Sequence, residues 1–250
     1  MPESSEHNPY QMPASQVVET VRFTASHYPR SVPAGNGFAW IGSGWELFKR
    51  APGALILLTL VYMIINLVLG SSMVAAVLGP LFLGGYFIVL ERVDQTGDVR
   101  IEELFAPFKS HLVPLLMLGL LLVVSSAVLF GLAFVMGLGT ILGSGSDPGV
   151  GSILFVVGLA LMAVLLFVLI YTLVFYAVIL VVLGQQAIGE ALANSLAAFV
   201  KNILPFLLNG VAGLIIVVVA LIPAGLGLLV ATPVLFGAMY ASFRDIFAAE

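Results

Sequence analysis

An all-α membrane protein of six crossings is the fold class this sequence predicts, and three observations predict it. The 250-residue chain is 61% hydrophobic and only 9% charged, against about half and about a quarter in ordinary soluble domains. Its apolar runs reach about 20 residues, the length needed to span roughly 30 Å of hydrocarbon at 1.5 Å per residue. All nine Lys and Arg fall before the first run, after the last, or in alternate connections between runs, as the positive-inside rule requires of an even number of spans.

Residues 1–36 contain Pro2, Pro9, Pro13, Pro29 and Pro33 among Glu, Ser and Asn. This stretch reads as a disordered cytoplasmic tail, with at most a helical turn or two over Val17 to Phe23. It lacks an apolar stretch like the core of a signal peptide, so targeting is expected to rest on the first membrane helix. Residues 37–250 read as a single transmembrane domain. The first span is Gly53 to Leu69 and the second Met73 to Leu90, joined by a tight turn at Gly70, Ser71 and Ser72. Leu112 to about Met136 is the third, followed by a glycine-rich outer loop from Gly137 to Gly151. Ile153 to Leu183 is longer than one crossing needs; Tyr171 and Tyr176 fall where an aromatic belt would sit, so Ala177 to Leu183 is expected to project and pack on protein. Ile203 to Ile222 and Ala224 to Phe243 make the last pair, with a re-entrant loop as the alternative for this Pro223- and Pro233-containing segment.

A short amphipathic stretch precedes each pair. Phe38, Ile41, Trp45 and Phe48 recur at helical spacing before span one; Leu104, Phe105, Phe108 and Leu112 before span three; Ile188, Leu192, Leu196, Phe199 and Ile203 before span five. Helices of this kind lie in the interface with their apolar face toward the acyl chains. Trp45, Phe48, Phe105, Phe108 and Phe199 are therefore candidates for a cytoplasmic rim.

The likeness extends to residues. Phe108, Pro114 and Gly119 align without gaps on Phe199, Pro205 and Gly210, and Pro80, Gly84, Phe87 and Glu91-Arg92 on Pro233, Gly237, Tyr240 and Arg244-Asp245. The chain thus reads as three tandem units, about 37–92, 101–183 and 186–247, each an interfacial helix and a membrane hairpin. Two crossings per unit make the copies parallel, unlike the inverted repeats of many transporters.

Gly37-Phe-Ala-Trp-Ile41, Gly44-Trp-Glu-Leu-Phe48, Pro80-x-x-x-Gly84, Glu103-Leu-Phe105, Glu190-Ala-Leu-x-x-Ser195 with Asn202, and the closing Pro233 to Phe247 segment resemble a family of uncharacterised six-helix proteins of the proteobacterial inner membrane. That family is distantly similar to the membrane domain beside some glycerophosphodiester phosphodiesterases. The resemblance covers about Val32 to Phe247 and implies fold and location. It brings no activity and no catalytic residues, and the phosphodiesterase domain has no counterpart here.

Chemistry is sparse. No cysteine is present, which excludes disulfides and thiolate chemistry; no basic patch points to nucleic acid, and no cofactor or metal motif is found. The expected spans contain no ionisable group of the kind ion-coupled transporters show. Their polar side chains are Thr59, Asn66, Ser125, Ser126, Thr172, Asn209 and Thr232. Asn66, Asn209 and Thr232 are the candidate intramembrane positions, either as interhelical hydrogen bonds or as a polar path. Glu102, Glu103 and His111 form a remote candidate acid–base or metal cluster. Glu91, Arg92 and Asp94 are placed to pair with Arg244 and Asp245 across the bundle, or simply to anchor the helix ends. The prolines read as kinks or first-turn residues, and Gly84, Gly85, Gly210, Gly213, Gly225 and Gly227 as close-packing positions. Gly137, Gly139, Gly143 and Gly145 lack a basic companion for phosphate binding.

The functional expectation is a non-enzymatic accessory, scaffold or regulatory partner of another membrane system, in contact with the lipid bilayer and with a protein partner or another copy of itself. The alternative is a passive channel or a carrier for a lipid or small molecule.

Overall fold

A computed structural model describes Ser26 and residues 28–70, 72–143 and 149–248. The elements are α1 (Asn36–Arg50), α2 (Pro52–Leu69), α3 (Met73–Thr96), a 3₁₀ segment (Ile101–Phe105), α4 (Pro107–Ser110), α5 (Leu112–Gly143), α6 (Val150–Val182), α7 (Ile188–Lys201), α8 (Ile203–Leu221) and α9 (Leu228–Ile246). The protein is all-helical, and α2, α3, α5, α6 and α8 are long and apolar enough to cross a membrane. The sixth expected span, α9, falls short of that measure; Thr232 and Pro233 interrupt its apolar run and its last turn carries Arg244 and Asp245.

The same break recurs between each short helix and the long one that follows. Ala51, His111 and Asn202 leave helical geometry at φ/ψ of −148°/60°, −135°/28° and −128°/35°. Proline then opens α2 at its first position, where no amide hydrogen is needed; Pro114 and Pro205 sit in the equivalent first turns of α5 and α8.

Each short segment packs on one long helix: α1 on α9, the 3₁₀ segment on α3, and α7 on α6. The contact points are equivalent. Seven residues before the breaks stand Gly44, Leu104 and Ser195. A Cβ on Gly44 would lie 2.1 Å from the Val234 carbonyl oxygen, and one on Gly85 would lie 2.0 Å from that of Leu104. Ser195 Oγ donates to the Leu173 carbonyl at 2.7 Å. Backbone contact this close exists only where a side chain is missing or small. Because α1 reaches round to α8 and α9, the units close into a ring. At its centre α3, α6 and α9 touch one another, and Phe236 packs against Tyr86 at 4.9 Å, Phe175 at 5.7 Å and Tyr62 at 5.8 Å between ring centroids.

Several expectations are corrected. The third long helix does not end near Met136; α5 runs to Gly143 and α6 starts at Val150, so most of the expected Gly137 to Gly151 loop is helix. Its glycines are tolerated there because each helix satisfies its own backbone. The two helices are 32 and 33 residues long and pair antiparallel, with Phe130 on Phe167 at 5.5 Å and a Gly137 Cβ position 3.4 Å from Val156. Ala177 to Val182 are at most 3% exposed, but Tyr176 is also buried, between Phe206 and Phe247. It is a packing residue and not part of a belt. Gly210 has nothing near its Cβ position, and Gly225, at φ +82°, serves the turn; neither is a close-packing glycine.

Residues ahead of 36, which the sequence places in the tail, also make contacts with the helices. Ser26 and Arg30 donate backbone bonds to Phe247 and Ile246, and Asn202 accepts from the Val32 amide at 2.8 Å while donating to the Arg30 carbonyl at 3.0 Å. Lys201 Nζ donates to the Pro29 carbonyl at 2.9 Å. Residues 28–35 thus form a strap over the α7–α8 break. The expected turns over Val17 to Phe23 lie outside the described residues.

Gly44→Val should cost about 1–3 kcal/mol or more through overpacking, seen as a lower thermal midpoint in detergent. Gly42→Val, with open space around its Cβ position, should shift the midpoint far less.

Candidate functional site

The short helices carry three faces. In α1, Gly37, Trp40, Gly44, Leu47 and Phe48 are buried against protein, whereas Phe38 and Trp45 are exposed apolar residues and Ser43, Glu46, Lys49 and Arg50 occupy the remaining arc. The α7 helix repeats this with Ala191, Asn194, Ser195 and Ala198 inward and Leu196 and Val200 exposed. Of the candidate rim residues, Trp45 and Phe105 are exposed, Phe108 and Phe199 half-buried, and Phe48 buried. Phe48 therefore belongs to the α1 packing face. Trp45 stacks on it at 5.5 Å, Phe105 and Phe108 both meet Phe82, and Phe199 meets Phe206.

Charges gather at this same end. Asp94, closing α3, accepts from Arg50 Nη1 at 2.9 Å, from Tyr240 Oη at 3.1 Å and from Arg244; of the expected pairing across the bundle, Asp94 with Arg244 forms, whereas Arg92 and Asp245 take other partners. Arg92 Nε donates to both Glu103 oxygens at 2.7 Å. Asp245 accepts from Asn36 Nδ2 at 2.7 Å, Trp40 Nε1 at 2.9 Å and Arg30 Nη2 at 3.0 Å. Burial alone would push its carboxyl up; the bonds from Trp40, Asn36 and Arg30 outweigh that and hold it below the ordinary carboxylate range. Between α1 and α9 lies an open groove of about 780 Å³, walled by Ser43, Glu46, Arg50, Asp94, Tyr240 and Arg244.

The remote acid–base candidate is not assembled. Glu103 is committed to Arg92, Glu102 is exposed, and His111 Nδ1 lies 2.8 Å from Ser110 Oγ. Among the described residues no group of three metal-ligating side chains converges.

The intramembrane candidates are also separate. Asn66 lines a cavity of about 290 Å³ between α2, α3, α5 and α6, together with Tyr62, Ala76, Pro80, Ser126 and Tyr171; neither Asn209 nor Thr232 reaches it. The backbone of Asn209 passes α1, its main-chain nitrogen 3.1 Å from a Cβ position on Gly37, and its side-chain Oδ1 is buried and lacks a hydrogen-bond partner. Thr232 lies in the opening turns of α9. Most of the polar side chains bond their own helix: Asn66 to the Tyr62 carbonyl, Ser125 to Leu122, Ser126 to Val123 and Thr172 to Val168. Thr59 alone among these reaches another helix, its Oγ1 2.7 Å from Tyr86 Oη.

Sequence reasoning missed the Asp245 clamp and the strap latched by Asn202. One signal was available, since a buried indole N–H such as that of Trp40 requires an acceptor. Compared with known protein families, curated proteins and solved structures, the chain matches none.

Asp245→Asn should lower the thermal midpoint at neutral pH by roughly 2–6 °C, the equivalent of about 1–2 kcal/mol of charge-assisted bonding. Because the carboxyl is held low, its contribution is full above the ordinary carboxylate range and is lost as pH falls through the folded value. The gap between wild type and variant should therefore close on acidification, followed by the fluorescence of Trp40 and Trp45.

Proposed function

We propose that this chain is a six-crossing integral protein of a bacterial inner membrane that acts by binding and not by catalysis, as an accessory, scaffold or regulatory partner of another membrane system. Three tandem hairpins, each led by a cytoplasmic interfacial helix, leave both ends in the cytoplasm. The partner is a protein or a second copy of the chain. What supports the membrane position is the three-sided character of α1 and α7. A helix with one face on protein, a neighbouring apolar face exposed and a polar arc beyond matches a place at the headgroup boundary. What supports the orientation is that Arg30, Arg50, Arg92, Lys201 and Arg244 are drawn to one end of the bundle by the contacts described above.

One observation carries the choice of binding over conduction. The ring centre is filled by the side chains of Tyr86, Phe87, Phe175 and Phe236, which is the place a pore through three pseudo-equivalent hairpins would occupy. The alternative of a passive channel along that axis loses its route.

With no native cysteine, single cysteines report cleanly on topology. Cysteines at Gly70, Gly149 and Ala224 should react with an impermeant maleimide from the outer side of intact cells after outer-membrane permeabilisation, and cysteines at Lys109, Gln185 and Ala248 only after lysis; the opposite pattern would reverse the orientation. Proximity labelling from a fusion after Ala248 should return one reproducible membrane partner, and this recovery should fall at least about fivefold in a Trp45→Ser/Phe105→Ser double variant with an unchanged thermal midpoint.

A further inference from the structure

We propose that the cavity between α2, α3, α5 and α6 binds the uncharged, hydroxyl-bearing head of a lipid alcohol, such as a diacylglycerol, at outer-leaflet depth. This goes beyond the partner-binding reading and rests on it only for the leaflet, which follows from the orientation proposed above. Depth follows from helix register. Asn66 and Ser126 each lie 14 residues past the starts of α2 and α5 at Pro52 and Leu112, about 21 Å from the rim at 1.5 Å per residue. Tyr171 lies 11 residues before the end of α6 at Val182, about 17 Å from the same end.

The chemistry of the wall selects the ligand. No Asp, Glu, Lys, Arg or His lines the cavity, so a phosphate or ammonium group would enter without a counter-charge, at a cost of several kcal/mol. Acceptors are nonetheless present. Pro80 carries no amide hydrogen, so the Ala76 carbonyl four residues earlier loses its regular helical donor, and both residues line the cavity. Backbone irregularity of that kind at membrane depth is tolerated where it borders a cavity. Asn66 has spent one N–H on the Tyr62 carbonyl, leaving Oδ1 as an acceptor, and Ser126, whose proton goes to Val123, offers its lone pairs. Tyr62 and Tyr171 also line the cavity and bring donors of their own, so this uncharged wall suits a neutral group that both donates and accepts, which a hydroxyl does.

Size and access agree. A volume of about 290 Å³ is at the lower edge of the roughly 300–1,000 Å³ that holds a whole drug-sized molecule. It takes a head and the first methylenes, and the exposed Asn66, Ala76 and Tyr171 at its edge leave it open to the acyl chains.

The test uses the full chain in phosphatidylcholine vesicles and a diacylglycerol carrying a diazirine next to the glycerol. Labelling is mapped by peptide mass spectrometry against the same probe with its hydroxyl acetylated. Adducts should concentrate in the Tyr62 to Pro80 and Phe167 to Val178 peptides. They should fall about fivefold on acetylation, the loss of roughly one neutral hydrogen bond, and again in Asn66→Leu/Ser126→Ala. Asn209→Leu, outside the cavity, should leave them unchanged. Equal labelling by the acetylated probe, or adducts spread over the exposed faces of α5 and α8, would overturn the proposal. The acetylation comparison is made on wild-type protein and so does not depend on any variant folding.

Discussion

Everything else in this fold depends on backbone-to-backbone contact where a short helix crosses a long one. In an apolar solvent the hydrophobic effect gives helices little reason to associate, and close packing with polar bonding has to supply it. Here packing is maximised by removing the side chain at the crossing, as at Gly44 and Gly85, or by turning a hydroxyl onto a carbonyl, as at Ser195. These crossings bring the ends of α1, α3 and α9 within reach of one another, and the rim bonds of Asp94 and Asp245 follow. An exposed ion pair alone contributes little. Two arginines and a tyrosine converging on one carboxylate, itself held by rigid helices, is a network whose geometry is already set by the crossings beneath it.

The apolar interior handles polar groups in two ways. Hydroxyls and amides on α2, α5 and α6 mostly turn back to carbonyls one turn earlier, so they cost little and bind nothing across the bundle. At Pro80 in α3 the removed donor borders a cavity, whereas Pro233 in α9 is buried. That contrast explains why Asn66, Asn209 and Thr232 do not form one path: only the first stands beside such a gap, and the others sit against α1 and in the opening of α9.

Much of this architecture was legible in the sequence because it is written in long-period patterns. Apolar runs, the alternation of basic residues, and the repetition of Phe108-Pro114-Gly119 at Phe199-Pro205-Gly210 all survive without knowledge of tertiary contacts. The end of α5 was not legible, since Gly137, Gly139 and Gly143 are breakers in water but cost far less where each helix must satisfy its own backbone. The packing face of α1 was misjudged for a related reason. Trp40 and Gly44 lie on one side and Phe38 and Trp45 on the next, and hydrophobicity does not separate a face that meets protein from a face that meets lipid. The strap on Asn202 and the clamp on Asp245 join residues some 170 to 215 positions apart, and a single sequence has no signal at that range.

The ring closes through its earliest helix and its latest. Gly44 meets Val234 and Ala238, so its docking place is not made until some 190 further residues have left the ribosome, on the order of 10 to 40 seconds at ordinary elongation speeds. During that interval α1 stands with the faces of Trp40 and Gly44 uncovered. A chain that stopped short of α9 would be left open along this seam.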